Sequence, residues 1–155
     1  MDLEFQKAVE LFTPSLYRLA YSYCGSYADA EDVVQEVFLK YLQKPPSCDS
    51  EQKLRAWLMT VTVNKCKDLL RTRRRQNPPE PEPVAAVSND DKLDIHSALQ
   101  KLSPTNRIVV YLYYYEELST QEIAQTLHLT GSAVRSRLYQ ARKQLKGLLG
   151  DDRYG

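Results

Sequence analysis

Apolar side chains recur at helical spacing through the first half of the chain. The clearest run has apolar residues at positions i, i+3, i+4 and i+7, which places them on one face of an α-helix. These residues are Ala30, Val33, Val34, Val37, Phe38 and Tyr41. The same spacing predicts helices over residues 5–12 and 16–23, the second opened by Pro14, and a further helix over residues 54–73. Trp57 falls on the apolar face of that last helix and is expected in the core.

The second half continues the helical pattern, with one ambiguous run. A short helix is predicted over residues 93–102, and Ser103 and Pro104 then supply an N-cap and a proline at the first helical position. Residues 108–115 are β-branched and aromatic, which suits a strand. The start signal and the helical neighbours favour a buried helix instead. The predicted fold class is therefore all-α.

The last third of the chain contains a predicted helix-turn-helix. Ser119 and Glu122 form a capping box, in which each side chain accepts a hydrogen bond from the other residue's backbone amide. His128 lies in a tight turn, and Thr130 can cap the second helix. The small Ala124 stands where the two helices would cross. An amphipathic helical hairpin with a charged outside is the simpler alternative, but capping, crossing and charge together favour DNA binding.

A proline-rich segment divides the chain. Residues 76–83 contain four of the eight prolines, and acidic or small residues follow as far as Asp91. Proline lacks an amide hydrogen and disfavours a helical conformation in the residue before it, so this segment is expected to be extended and flexible. We predict two small helical domains, residues 1–75 and 93–150, joined by an acidic linker over residues 76–92.

Charge is distributed unevenly, although the net charge is only +1. The predicted linker is acidic, whereas two clusters are basic and indicate a polyanionic partner. The first cluster is Arg71, Arg73, Arg74 and Arg75. The second lies on the second helix of the helix-turn-helix, whose exposed groups suit base edges and phosphates in a major groove. The candidate DNA-binding residues there are Arg135, Ser136, Arg137, Tyr139, Gln140, Arg142 and Lys143.

Composition and motifs argue against several other classes of protein. Cys24, Cys48 and Cys66 form no C-x-x-C pair, so they are expected to be reduced thiols rather than disulfides or metal ligands. No apolar run is long enough to span a bilayer and no signal peptide is visible, which favours a cytoplasmic protein. No catalytic motif is present. Glu116 and Glu117 are expected at an exposed helix end rather than in an active site.

Four stretches of the chain resemble one family, in the family's order. They are YADAEDVVQEVFLKYLQ, AWLMTVTVNKCKDLLRTRRR, LSPTNRIVVYLYYYEELS and LSTQEIAQTLHLTGSAVRSRLYQARKQLKGLL. The family is the extracytoplasmic-function sigma factors of bacterial RNA polymerase. The stretches resemble its polymerase-binding helix, its −10-reading helix, the helix that enters its DNA-reading module and its −35-reading region. The resemblance implies a transcription-initiation factor that is not an enzyme, needs no cofactor or metal, and acts as a monomer in the holoenzyme.

The resemblance also implies roles for individual residues. Contacts with core polymerase are implied for Asp32, Gln35 and Glu36. Capture of the melted −10 strand is implied for Asn64, Lys65, Lys67, Arg71 and Arg74, beside a base-capturing loop at residues 44–53. The −35 readers are matched by Arg135, Ser136, Tyr139 and Gln140. The implied partners are core RNA polymerase, promoter DNA and an anti-sigma protein, and no membrane insertion is implied.

Two departures from the family and one rival class bear on this interpretation. His128 stands where the family often has glycine, and Ser132 and Ala133 replace a common Gly-Thr pair, which leaves the promoter sequence open. Histidine tolerates positive φ better than most residues, so the turn is expected to survive with some strain.

The rival class is a dimeric repressor or activator with the same helix-turn-helix. It would need a dimer surface and a sensor module, and the first half shows neither a ligand-site signature nor a phosphoacceptor pattern.

Overall fold

The computed structural model describes residues 2–76, the first half, and residues 94–150, the second half. The first half contains helices α1 (Asp2–Cys24), α2 (Tyr27–Gln43) and α3 (Glu51–Gln76). The second half contains α4 (Ile95–Lys101), α5 (Pro104–Tyr114), α6 (Thr120–Leu127) and α7 (Gly131–Leu149). No strand occurs in these two ranges, so the all-α prediction is confirmed, and the ambiguous tyrosine-rich run is helical. The predicted linker lies outside the described residues, apart from Gln76.

Side-chain caps set several helix starts. Ser26 Oγ accepts a hydrogen bond of 3.3 Å from the backbone amide of Asp29 at the start of α2. Ser103 Oγ accepts one of 3.3 Å from the amide of Asn106, with Pro104 at the first position of α5 as predicted. Each cap satisfies an amide that the first helical turn leaves without an intrahelical partner.

Helix α1 runs through Pro14, so the prediction of a new helix at that residue is wrong. Proline removes one backbone hydrogen bond from a helix interior. Phe12 and Leu16, on either side of it, are 5% and 0% exposed and belong to the same core. Helical stability in proteins comes mostly from packing of an apolar face, and packing on both sides of Pro14 offsets the lost bond.

The two halves share one apolar core. Helices α1, α2 and α3 pack around Leu16, Val37 and Leu58, none of which is exposed. Helix α5 lies against α1, and helix α6 lies against α3. Ile108 and Leu112 of α5 therefore belong to the same buried cluster as the first half. A second cluster joins α4, α5 and α7. The sequence led us to expect two separate bodies, whereas the described halves are docked against each other.

A buried ionic network lies at the junction of the halves. Only 5% of the Glu116 side chain is exposed, and its Oε2 accepts a hydrogen bond of 2.5 Å from Arg55 Nη2. Its Oε1 accepts one of 2.7 Å from Tyr111 Oη. Burial raises the pKa of Tyr111, and the hydrogen bond to Glu116 is the second largest cause of that rise. The expectation that Glu116 lies at an exposed helix end is wrong, because its carboxylate joins Arg55 of the first half to Tyr111 of the second.

Replacing Glu116 with glutamine removes the charge and keeps the shape. We expect Glu116→Gln to lower the free energy of unfolding by about 1–3 kcal/mol, because Arg55 loses a charged and buried acceptor. Urea unfolding of the full chain measures this change. Glu117→Gln is the matched control: that side chain is exposed, so the change should stay within about 0.5 kcal/mol. Equal effects of the two substitutions would show that Glu116 contributes no more than a surface carboxylate.

Candidate nucleic-acid interface

Helices α6 and α7 form the predicted helix-turn-helix. The capping box is present: Ser119 Oγ accepts from the Glu122 amide at 3.1 Å, and Glu122 Oε1 accepts from the Ser119 amide at 3.0 Å. His128 adopts the left-handed conformation with a φ of 57°, and the amide of Leu129 donates to the carbonyl of Ala124 at 2.9 Å. The turn therefore keeps its shape with histidine, as predicted.

Helix α7 begins at a threonine cap and turns one apolar face inward. Thr130 Oγ1 accepts a hydrogen bond of 3.0 Å from the amide of Ala133. Val134 and Leu138 are 0% and 3% exposed and pack into the shared core. Residues three or four apart lie on the same face of a helix, so Arg135 and Ser136, which stand between these two, face solvent.

The outward face of α7 carries most of the predicted DNA-binding side chains. The exposed members are Arg135, Ser136, Tyr139, Gln140, Arg142 and Lys143. Tyr139 is 68% exposed, although its ring is large and aromatic. Helix α7 contains no acidic residue. Its surface therefore combines cations, an amide and hydroxyl groups with no carboxylate on the same helix.

Two of the predicted DNA-binding arginines also contact the protein. Arg137 is half-buried, and its Nη1 donates to Asn106 Oδ1 at 3.3 Å. Arg142 Nε donates to Tyr114 Oη at 2.7 Å, and its guanidinium carbon lies 5.4 Å and 5.6 Å from the ring centroids of Tyr113 and Tyr114. The hydrogen bond to Tyr114 raises the pKa of Arg142. Arg137 thus ties α7 to α5, and two tyrosines orient Arg142.

Helix α3 carries the second predicted nucleic-acid surface. One row of side chains follows at intervals of three or four residues and so shares a face of the helix. The row is Asn64, Lys67, Arg71 and Arg74, and all but the half-buried Lys67 are exposed. Lys65 lies beside the row, with its Nζ 3.8 Å from Glu36 Oε2. The structure therefore brings four of the five predicted −10-binding residues together along one side of α3, and it pairs Lys65 with a carboxylate of α2.

Helix α6 covers part of this row while the halves are docked. Lys67 Nζ donates to the carbonyl oxygen of Leu127, the last residue of α6, at 3.4 Å. The carbonyl end of a helix carries partial negative charge and attracts a cation. A side chain predicted to bind nucleic acid is thus occupied by the second half of the same chain.

Arg73 was placed in the first basic cluster, but the structure gives it a different role. Asp29, in the first turn of α2, is buried, and both of its carboxylate oxygens accept hydrogen bonds from the Arg73 guanidinium. Bidentate pairs of this kind are among the strong charge-assisted contacts in proteins. Arg73 therefore anchors the end of α3 to α2. Acidic residues at a helix start are also explained by the helix dipole, so the sequence pattern did not single out this pair.

The predicted polymerase-contacting residues lie on the exposed face of α2. Asp32, Gln35 and Glu36 are all exposed. Gln35 lines an apolar groove of about 480 Å³ between α1 and α2, together with Leu39 and Leu42, which are 52% and 60% exposed. The two leucines were not predicted as site residues because they fall outside the buried stripe. Leu39 and Leu42 follow Gln35 by four and seven residues, and this helical spacing could have placed them on the same face as Gln35.

No group of three or more His, Cys, Asp or Glu side chains able to hold a metal ion occurs within residues 2–76 and 94–150. No helix in the described part of the chain is long and apolar enough to cross a bilayer.

Two family models match the chain. The model described as Sigma-70 region 2 matches residues 8–76, and the model described as Sigma-70, region 4 matches residues 92–145. The ECF RNA polymerase sigma factor SigL of Mycobacterium tuberculosis is 36% identical to this chain, over 84% of this chain and 80% of its own length.

Two solved structures are similar to the chain along nearly its whole length. One is the co-crystal structure of the sigma factor RpoE with the anti-sigma factor NepR from Bartonella quintana, with a TM-score of 0.79, 28% identity, and coverage of 97% of this chain and 99% of that chain. The other is CnrH in complex with the cytosolic domain of CnrY, with a TM-score of 0.70, 26% identity, and coverage of 98% and 91%. Both matches span the two docked halves.

The left-handed residue at the turn gives a test of the helix-turn-helix geometry. A non-glycine residue in this conformation costs roughly 1 kcal/mol. We therefore expect His128→Gly to raise the free energy of unfolding by about 0.5–1 kcal/mol, measured by urea or thermal unfolding. Gln125→Gly, in the exposed interior of α6, is the control and should lower it by about 1 kcal/mol. A loss of stability in both variants would mean that the turn does not depend on φ at His128.

Proposed function

The chain belongs to the extracytoplasmic-function family of RNA polymerase sigma factors, and we propose that its two halves read two elements of one promoter. It is an alternative sigma factor, which directs promoter-specific initiation of transcription. Sigma factors are regulatory initiation factors, so RNA synthesis is assigned to the polymerase and positioning to this chain. One observation carries the proposal: each matched region presents a row of cations and hydrogen-bond donors, on α3 and on α7, and most of their side chains are exposed.

Helix α7 is assigned to the −35 element in duplex form. A major groove admits one α-helix, in which a guanidinium pairs with guanine and an amide pairs with adenine. Arg135 and Gln140 supply these two groups on the exposed face of α7. Lys143 and Arg142 lie further along and suit phosphates. The tyrosines that hold Arg142 reduce the entropy lost when that side chain binds DNA.

Helix α3 is assigned to the melted −10 strand. An amide donates and accepts hydrogen bonds at once, so Asn64 can pair with the Watson–Crick edge of an unstacked base. Proteins that bind single strands combine such groups with a basic track along the sugar-phosphate backbone. The rest of the α3 row, Lys67, Arg71 and Arg74, provides that track. Lys65 joins it once Glu36 is engaged elsewhere, since the two side chains are paired in the docked chain.

Helix α2 is assigned to core polymerase, and the chain is therefore proposed to act in the cytoplasm with that enzyme. The exposed face combines the carboxylates of Asp32 and Glu36 with the apolar groove lined by Leu39 and Leu42. An exposed apolar surface bordered by polar groups is typical of protein–protein contacts. The acidic groups favour a basic partner surface beside the groove.

We further propose that the halves separate when the factor acts. The −35 and −10 elements are about 25 base pairs apart, which is roughly 85 Å at about 3.4 Å per pair. A folded body of 155 residues has a radius of gyration of about 15 Å and cannot reach both elements. The proline-rich sequence over residues 76–92 is long enough to reach roughly 50 Å, taking about 3.1 Å per residue. Separation also frees Lys67 from the end of α6.

An anti-sigma protein is proposed as the partner that keeps the chain inactive. The support is the similarity to RpoE in complex with the anti-sigma factor NepR and to CnrH in complex with the cytosolic domain of CnrY. A partner shifts a two-state equilibrium only by its difference in affinity for the two states. The proposed anti-sigma protein therefore binds the docked chain more tightly than the separated one, and core polymerase has the opposite preference.

Run-off transcription with core polymerase tests the function directly. We expect transcripts from a set of genomic promoters only when the chain is added. Binding to core polymerase is measured in the same preparation, so that a failure of association is distinguished from a failure to recognise the promoters supplied. A chain that did not bind core polymerase would refute the proposed function.

Asn64→Ala tests the −10 assignment. Loss of the amide should slow open-complex formation about tenfold, because an unstacked base loses hydrogen bonds worth roughly 1–2 kcal/mol. Permanganate footprinting or a fluorescent base in the −10 region measures melting, and binding to −35 duplex should be unchanged. Gln6→Ala, an exposed amide on α1, is the control. If Asn64→Ala weakened binding to −35 duplex as much as it slowed melting, the assignment of the two halves would be wrong.

Arg135→Ala tests the −35 assignment. We expect it to lower discrimination between the correct base pair and its alternatives by about 1–3 kcal/mol at one position. Lys143→Ala is the contrasting variant and should weaken binding to all sequences alike, with a smaller dependence on salt. Competition binding to a set of single-base −35 variants measures both effects. Unchanged base preference in Arg135→Ala would remove that residue from the set of readers.

A further inference from the structure

The last turn of helix α5 meets the second half of helix α7 at the surface of the molecule. Arg142 Nε donates to Tyr114 Oη at 2.7 Å. The guanidinium carbon lies 5.4 Å from the ring centroid of Tyr113 and 5.6 Å from that of Tyr114, and the two rings meet edge to face. Arg142 is exposed and Tyr114 is 47% exposed. A cation of α7 and a hydroxyl of α5 are therefore presented to solvent side by side.

Apolar packing beneath this contact fixes the two side chains relative to each other. Val110 lies one turn before Tyr114, and Ala141 is next to Arg142 in the chain. Val110 and Ala141 are 3% and 0% exposed and belong to one buried cluster. All members of that cluster come from α4, α5 and α7, so the proposed separation of the halves would leave it intact.

The contact between Arg142 and Tyr114 leaves hydrogen-bond donors for another molecule. A guanidinium has five N–H donors, and the bond to Tyr114 takes one of them. A phenolic hydroxyl both accepts and donates, so Tyr114 keeps its hydrogen while it accepts from Arg142. No carboxylate of the described residues forms an ion pair with Arg142. A positive charge beside several donors suits an oxyanion.

The place of Arg142 along α7 favours a DNA phosphate as that oxyanion. Arg135, Tyr139 and Arg142 follow at intervals of four and three residues, so they share one face of the helix. Arg142 lies seven residues after Arg135, which is roughly 10 Å along the helix axis. A recognition helix places its N-terminal residues on the bases of a major groove that is about 12 Å wide. Arg142 then falls near the edge of the groove, where the sugar-phosphate backbone runs.

We propose that Arg142 and Tyr114 together bind one phosphate of duplex DNA, and that the Tyr114 hydroxyl donates to this phosphate directly. This pair, the phosphate clamp, rests on the proposed function, because α7 must lie in duplex DNA. Helix α5 thereby becomes part of the DNA interface, whereas the resemblance implied only that it leads into the DNA-reading module. Arginine and tyrosine side chains both bind phosphates, and such contacts position a protein on DNA without reading its sequence.

Binding of the full chain to duplex DNA of random sequence tests the phosphate clamp without polymerase or promoter. Tyr114→Phe keeps the ring and removes the hydroxyl, so affinity should fall about three- to tenfold. Tyr115→Phe is the matched control: this neighbouring tyrosine is also exposed, its ring stacks on Tyr111, and affinity should not change. Fluorescence anisotropy at low salt measures binding, and circular dichroism checks that each variant folds. Equal affinities of the two variants, or no binding by the unaltered chain, would overturn the proposal.

Arg142→Gln distinguishes a direct contact of Tyr114 from mere support of the arginine. Loss of the charge should lower affinity about tenfold and reduce the salt dependence by about one phosphate contact. In the Arg142→Gln chain, Tyr114→Phe should still weaken binding about threefold, because the hydroxyl donates to the phosphate itself. A tyrosine that only held Arg142 would have no effect once the arginine is absent, and that result would contradict the direct contact.

Single methylphosphonate substitutions, each of which removes the charge of one DNA phosphate, locate the phosphate clamp at a promoter. Holoenzyme with the unaltered chain should lose affinity when one phosphate at the edge of the −35 groove is replaced. Holoenzyme that carries both Tyr114→Phe and Arg142→Gln should be insensitive at that phosphate and respond normally at the others. An identical response of the two holoenzymes at every phosphate would refute the clamp. Failure of the unaltered chain to direct run-off transcription would instead refute the proposed function, and the random duplex would then decide the clamp.

Discussion

The apolar contact between α1 and α5 determines what the rest of the molecule can do. Each half is small, and small domains bury too little apolar surface to be more than marginally stable alone. Docking places Leu16, Ile108 and Leu112 in one fully buried cluster, and burial of such side chains is the main favourable contribution to folding. The same contact keeps the two proposed DNA surfaces too close together to span a promoter. Under the proposed separation of the halves, stability of the free chain and activity at DNA therefore oppose each other.

Polar groups at the junction make separation less costly than a wholly apolar contact would. In the proposed separation, the Arg55–Glu116 ion pair and the contact of Lys67 with the end of α6 are lost, and hydrogen bonds to water replace them. Arg107 differs, because one of its nitrogens is buried without a partner in the described structure. Exposure to solvent hydrates that nitrogen. The interface thus combines strong apolar burial with polar contacts that water can replace, as in contacts between domains that move.

Helix type, caps and the helix-turn-helix could be predicted because they depend on local signals. Ser103 before proline and the Ser119 capping box confirm this, and His128 shows that a turn can keep its geometry without the usual glycine. Docking could not be predicted, because the apolar face of α5 looks the same in sequence whether α7 or α1 covers it. For this reason Glu116 was expected at the surface. The residue-level assignments on α3 and α7 came from family resemblance and spacing, and they remain proposals.

Because α1 and α5 bury side chains against each other, the two regions are not interchangeable modules. A chimera that joined residues 2–76 to the second half of a relative would carry an α5 face shaped for a different α1. Mismatched volumes in such a contact leave cavities or clashes, each destabilising. The two regions are therefore expected to be inherited together, because α1 and α5 must match each other in shape. We expect recombination among relatives to exchange whole chains more readily than halves, and changes in Leu16 to be accompanied by changes in the residues of α5.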